Sequence, residues 1–518
     1  MGRMTPRRLL LWSALVGVLT GVVTLAIAEA VAALMVLPSG SPLFGVGSLV
    51  IDLVPGWFKT VVIALFGTGD KVALFVALGI LVLLLAVGVG ILQYRRPPWG
   101  IVALVVVGII ALLAVVTRAE ANSLSAVPTL VGVLAGAIVL RNGSDRLHRW
   151  TDAAASRPAR AAVTRRGFLV MLGATTAGAL VVGLGARAIN AGTAAVNTVR
   201  EAITLPKPAT PEAAIPAGAS LDVDGITPLL SANDTFYRID TALQVPVVDA
   251  STWKLRVTGM VEREVEITFD DLLALPLVEH TVTLMCVSNE VGGNLVGNAT
   301  WLGYPIRDLL AKAGPLAGAD MVLSTSVDGF TAGSPLSVLL EEDRQSLLAV
   351  GMNGVPLPLE HGFPARLVVP GLYGYVSATK WVAELKVTTF AEDMGYWTPR
   401  GWDALGPVKT ASRIDVPQSG SSVSAGRVAV AGVAWAQHRG IEAVEVQVDG
   451  GSWQQATLAD AISIDTWRQW VYEWDATAGN HTVAVRATGA VNDTQRDVRI
   501  PPAPNGSEGY HTITVNVG

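Results

Sequence analysis

The 518-residue chain is 51% hydrophobic and 15% charged, with 17 Lys/Arg against 6 Asp/Glu in residues 1–200 and 20 against 36 thereafter. A basic, apolar front joined to an acidic back excludes a single water-soluble domain, and the back carries no basic cluster with interleaved aromatics that would suit nucleic acid. The single cysteine, Cys286, excludes an internal disulfide, a cysteine-ligated iron–sulfur cluster and a C-x-x-C-H haem attachment site.

In chain order, apolar runs at about 9–37, 72–92, 99–117, 124–140 and 168–189 are each near the roughly 20 residues that cross a bilayer. They predict an all-α, five-span transmembrane domain over residues 1–200. Residues 43–66 are apolar but broken by Asp52, Pro55, Gly56 and Lys59, and read as a surface-lying or re-entrant segment. Arg3, Arg7 and Arg8, then Arg95 and Arg96, then the arginines between 141 and 166 fall on one side. Lys59, Lys71 and Arg118 fall on the other. The positive-inside rule places the N-terminus in the cytoplasm and everything after residue 190 outside. Glu29, inside the first span, is either a functional carboxylate or a hydrogen-bonded structural one. Arg165 and Arg166 precede the fifth run, in "TRRGFLVMLG", as an internal twin-arginine-like signal would. That export route carries proteins folded around a cofactor; the alternative is a helix anchor.

A Pro/Ala-rich linker occupies 201–220. Residues 221–405 mix short strands ("WKLRVTGMV", "RLVVPGLYG") with helix-like stretches ("FDDLLAL", "PIRDLLAKAG"), an α+β pattern, with Thr268 as a helix N-cap and Asp271 its partner. From 408 to 518, alternating strands with turn signals such as Asp449-Gly450-Gly451 predict an immunoglobulin-like β-sandwich. Cys286 ends an alternating strand, "TVTLMC", where it enters an Asn/Gly-rich loop. By itself such a cysteine is a small buried hydrophobe or a metal-binding thiolate.

The ordered blocks "NDTFYRID", "VTLMCVSNE", "ATWLGYPIRDLL", "MNGVPLPLEHGFPARLVVPGLYGYVSATKWV" and "VAGVAWAQHRGIEAVEVQVDGGSW" carry a resemblance. Residues 233–400 resemble the molybdopterin-binding domain of the sulfite oxidase family, and 408–518 its C-terminal sandwich. The layout with an apolar front is similar to membrane-tethered actinobacterial versions. The resemblance implies a molybdenum–molybdopterin cofactor with Cys286 as the metal's protein ligand. It implies that Asn233, Tyr237, Arg238, His361, Arg366, Ser377, Ala378, Thr379 and Lys380 contact the cofactor. A soft thiolate suits molybdenum, and an Arg fork with a Lys charge suits a phosphate. Tyr237, Arg238 and Glu290 are the candidates beside the substrate. Family members carry basic residues shortly after the cysteine, whereas this chain has Asn289, Glu290 and Val291. A carboxylate there disfavours an anion such as sulfite and favours a neutral sulfoxide, N-oxide or thioether-type substrate.

The expected function is therefore a membrane-anchored, extracytoplasmic oxygen-atom-transfer oxidoreductase. The rivals are a sulfite dehydrogenase proper and a non-catalytic membrane scaffold with a partner-binding sandwich. Only His148 among six histidines precedes residue 200, in what reads as a basic loop, so a haem relay within the spans is not expected. Electrons are expected to pass to a separate cytochrome or quinone.

Overall fold

The computed structural model describes residues 5–35, 40–55, 58, 61–62, 65–66, 69–119, 121–156, 158–188, 191–490 and 493–518. They fall into two units: Met1–Thr198 with Ala242–Val247, and Val199–Thr241 with Val248–Gly518.

The first unit is helical. Among the described residues four helices are long and apolar enough to cross a membrane: Pro6–Leu34, Lys71–Arg95, Trp99–Val116 and Val127–Ala154. The fifth apolar run lies on the helix Pro158–Ala188, where the side chains of 158–161 and 180–188 are outside the described set. That helix begins before Arg165 and Arg166, so the arginine pair is helical, not an extended lead-in, and both side chains are exposed. Pro42–Leu53 forms a 12-residue helix, about 18 Å long and too short to span; Gly56 and Lys59 of the same stretch lie outside the described residues.

Small residues let these helices approach closely. A Cβ on Gly17 would collide with the Ala86 carbonyl, and one on Gly90 with the Ser13 carbonyl, so the first helix and Lys71–Arg95 meet backbone to backbone. Glu29 accepts a 2.6 Å hydrogen bond from Ser41 Oγ, which gives the carboxylate a structural partner. His148 is on the helix Val127–Ser156 rather than in a loop, its ring stacked 4.3 Å from Tyr94. The loop reading failed because "RNGSDRLHRW" is polar yet keeps helix-forming residues, and the helix simply extends beyond its apolar stretch.

The second unit holds an α+β layer structure and a sandwich. Two sheets build the α+β region. The first has the order Val265–Thr268, Lys254–Gly259, Val382–Thr388, Met321–Ser326, Thr331–Pro335. The second runs Val278–Met285, Val296–Pro305, Leu347–Met352, Val355–Pro356, with Arg366–Val368 also paired to Leu347–Met352. Thr268 caps Phe269–Leu273 in a reciprocal capping box with Asp271. Gly314, at φ 69°, closes Ile306–Ala313 in the left-handed conformation that glycine favours.

The sandwich packs a four-stranded sheet containing Gly426–Trp435 and Arg468–Ala476 on a larger one containing Ile441–Val448, Gly479–Gly489 and His511–Val517. Inward residues such as Val430, Trp470, Val444, Val485 and Ile513 form its core. The Pro/Ala-rich linker is hydrogen-bonded to the second sheet. Ala209 N donates to Leu277 O (2.7 Å) and Glu279 N to Thr210 O (2.9 Å), so the proline-rich stretch lies along the start of Val278–Met285. Proline cannot donate within a sheet interior but is tolerated at its edge.

Candidate active site

Val278–Met285 is an edge strand, yet Thr281 to Met285 are consecutively buried. Its open edge is covered by the linker and by the sandwich. Thr283 N donates to Asp465 O (3.0 Å), Trp467 N donates to Thr283 Oγ1 (2.8 Å), and Gln437 Nε2 donates to Thr283 O (3.1 Å). Glu212 accepts from Thr281 N.

Beyond the strand, Cys286 N donates to Leu295 O (3.0 Å) and Asn289 N to Cys286 O (3.1 Å). Asn289, 1% exposed, closes the loop by accepting from Leu295 N at 2.7 Å. The loop is clamped from the sandwich by Ser507 Oγ on Asn289 O (2.7 Å) and by Arg413 on Gly293 O (2.8 Å). The backbone that carries the Cys286 thiol is thus fixed from both sides. Burial pushes it above its ordinary range, so a free thiol stays protonated and a metal would have to displace the proton.

Two buried cations, Arg366 and Lys380, lie in the same domain, and Tyr237 feels both Cys286 and Arg366. Arg366 is buried and, among the described residues, donates only to the carbonyls of His361, Leu367 and Ala378, at 3.2–3.4 Å, while its guanidinium lies 5.0 Å from the Trp301 ring centre. Burial lowers it to about 10, with Tyr237 acting the other way. Lys380 is lowered by burial to about 8 despite a 2.6 Å bond to Asp240. Asp240 also takes the Nε of half-exposed Arg238 at 2.9 Å.

His361 Nε2 lies 2.9 Å from the Asn233 carbonyl, which can only accept, so Nε2 carries the proton. Burial drops this imidazole to about 4, which leaves it neutral with Nδ1 as an acceptor. The Asn233 side chain is itself fixed by Asn353, at 2.8 Å. Tyr237 stacks on Phe236 (5.2 Å), and burial, then the proximity of Cys286, raise its phenol while Arg366 opposes.

The structure therefore gathers Cys286, Tyr237, Arg366, His361, Asn233 and Lys380, with Arg238 joined through Asp240. The loop 377–379 lies beside them, but its hydroxyls face inward. Ser377 Oγ donates to Tyr373 O (2.9 Å), and Thr379 Oγ1 pairs with Ser324 Oγ (2.7 Å). The hydroxyls of Ser377 and Thr379 are thus spent on protein partners, and Ala378 O takes Arg366. Glu290 is exposed at the loop surface and forms no side-chain bond with this group. Residue patterns did not single out Asp240, Trp301 or Tyr373. Tyr373, fully buried, is pushed up by burial to about 12, with Cys286 and Glu508 adding to the shift. Its place in "PGLYGYVSATKW" was the available signal.

Residues 242–397 match the family described as Oxidoreductase molybdopterin binding domain, and 411–485 match Bacterial Ig domain. Mitochondrial sulfite oxidase of Mus musculus is 32% identical over 259 residues, 42% of this chain and 47% of that protein. Sulfite oxidase of Arabidopsis thaliana is 27% identical over 316 residues, 50% of this chain and 79% of that protein. This region of the chain is a molybdopterin-binding oxidoreductase domain of the sulfite oxidase family. Among solved structures, the sulfane dehydrogenase SoxCD of Paracoccus pantotrophus aligns with 57% of this chain and 84% of its own, at 21% identity and TM-score 0.49. The chain spans about half the length of the mitochondrial sulfite oxidases it matches.

A molybdopterin domain takes a molybdenum–molybdopterin group, and the residues present fit it. A buried guanidinium that meets only carbonyls is costly without an anion, and a pterin phosphate supplies one. Neutral His361 offers an acceptor to a ring N–H, and Cys286 offers a soft sulfur.

Proposed function

We propose that the chain is a membrane-anchored molybdenum oxidoreductase that works outside the cytoplasm and moves one oxygen atom to or from a small substrate in a two-electron reaction. The observation that carries this reading is a buried Cys286 and a buried Arg366, both acting on Tyr237, with no carboxylate partner for Arg366 among the described residues. The cofactor, when bound, supplies the two-electron oxygen-transfer chemistry. Cys286 would hold the metal, Arg366 and Lys380 the phosphate, and His361 with Asn233 the pterin ring. Tyr237 and Arg238 would face the substrate.

Sulfite, the substrate named for the relatives, is disfavoured by Glu290 and Val291 after the cysteine, and a neutral sulfoxide or N-oxide suits the site better. Five crossings with the arginine-rich ends inside would place the catalytic unit outside, with Arg165 and Arg166 as the export signal. A separate basic cytochrome, or a quinone in the bilayer, would exchange the electrons. The decisive experiment is elemental analysis of the purified chain, followed by dye-coupled assays with sulfite and with a sulfoxide. About one molybdenum per chain with sulfoxide turnover is expected; molybdenum with sulfite turnover alone would favour a sulfite dehydrogenase, and no molybdenum would favour a scaffold.

A further inference from the structure

Away from Cys286, the molybdopterin domain and the sandwich meet at a second polar cluster. Glu341 and Asp343 lie in the loop after the short helix Leu336–Leu340, and His438 in the turn after the strand Gly426–Trp435. One ligand atom from each of Glu341, Asp343 and His438 falls within 4.8 Å of the others.

The arrangement around His438 points to a ligand. The side chain is 10% exposed, and its Nδ1 is 3.0 Å from Asp465 Oδ1, so the proton on that nitrogen is taken. Nε2 is left facing Glu341 Oε1 at 3.7 Å, beyond hydrogen-bonding distance, and is the nitrogen open to a ligand. Asp465 is anchored on its other oxygen by His280 Nε2 at 2.8 Å, so it cannot swing away. A carboxylate that fixes one ring nitrogen while the other faces carboxylate oxygens is how proteins orient a metal-binding histidine. Glu341 is prepared in the same manner. Arg344 Nε binds Oε2 at 2.7 Å, which leaves Oε1 for the site and offsets some of the negative charge. Asp343 is exposed and closes the third side.

We propose that Glu341, Asp343 and His438 bind one divalent transition metal that braces the molybdopterin domain against the sandwich. One imidazole and two carboxylates suit zinc or a similar borderline ion, with at least one position left for water. The site is independent of the molybdenum reading, because none of its residues takes part in the Cys286 cluster.

The test uses the detergent-purified, molybdenum-loaded full-length chain after EDTA treatment. Cobalt(II) is titrated and its visible d–d absorption followed, with zinc as competitor. A single saturable site displaced by zinc is expected, and zinc should raise the melting temperature. His438→Gln should remove the cobalt bands. Asp343→Asn, a change at an exposed position that leaves the fold alone, should weaken binding at least tenfold. Asp465→Asn, which alters no ligand, should weaken binding roughly 10–100-fold through loss of the positioning bond. Absence of saturable binding at millimolar metal, or binding undiminished in both His438→Gln and Asp343→Asn, overturns the proposal.

Discussion

The catalytic unit contains two buried polar clusters built on opposite terms. Around Asp465 every charge has a protein partner: Glu212 and Asp465 face the two nitrogens of His280, and Asp465 also takes His438. Burial alone would lower His280, but the bonds to Asp465 and Glu212 outweigh it and raise the imidazole to about 9. Around Cys286 the balance reverses, and burial brings Arg366 to about 10, Lys380 to about 8 and His361 to about 4. The Glu212–His280–Asp465 core of the first cluster is complete as protein, and only the outer nitrogen of His438 is left open. In the second, Lys380 has Asp240 but Arg366 has no carboxylate partner among the described residues, and that difference separates a structural polar network from a candidate binding site of similar composition.

The sharpest way to break the comparison is Cys286→Ala. Turnover should fall to background while the chain stays folded, since loss of one sulfur at a strand end costs about 1–2 kcal/mol. Full turnover in that variant would remove the thiolate from the proposed site. Next in size is a matched pair of substitutions measured by denaturation of cofactor-free protein. Asp465→Asn strands two histidines and should cost about 3–5 kcal/mol, whereas Arg366→Met removes an unpaired buried cation and should change stability by no more than about 1 kcal/mol. The same Arg366→Met protein, expressed with cofactor, should lose most of its molybdopterin, measured by fluorescence of the released pterin. Equal destabilisation by the two changes would erase the distinction.

The paired cluster should also set a pH profile. His280 is held above its ordinary 6.5, so its contribution is complete below about 6.5 and is lost as the pH rises through about 9. Glu212 and Asp465 are held below their ordinary values, so theirs is present above that range and is lost as the pH falls. Thermal melts in EDTA should therefore show a plateau between these limits, and His280→Gln should flatten the alkaline fall. The smallest effect belongs to Glu290→Gln. Removing one exposed charge beside the loop should lower KM for sulfite a few-fold and leave a neutral sulfoxide unchanged. An equal change for both substrates would argue against an electrostatic role.

Local signals were readable in the residues wherever structure follows from neighbours in sequence. The strand ending at Cys286, the Thr268–Asp271 capping box, the glycine stop at Gly314 and the Asp449-Gly450 turn are of this kind. The gathering of Tyr237, His361 and Arg366 near Cys286 was legible only through ordered blocks resembling a known family, because no periodicity connects positions so far apart. Partners fixed by tertiary packing left no sequence trace. Asp240 reaches Lys380 across 140 residues, His280 meets Asp465 across 185, and the Ser377 and Thr379 hydroxyls turned inward to bonds that no pattern announces.

The clamp on the Cys286 strand and loop also bears on how the protein is made. Thr283 is joined to Trp467 across 184 residues and Asn289 to Ser507 across 218, so the segments that fix the thiol are synthesised long after it. Until the ribosome has passed those positions, the strand has an exposed edge of the kind that pairs with other chains. A nascent or prematurely terminated chain would hold a loose thiol and a sticky edge. Stop codons just before Ser507 should therefore yield aggregated, molybdenum-poor protein even though every proposed cofactor contact has already been translated.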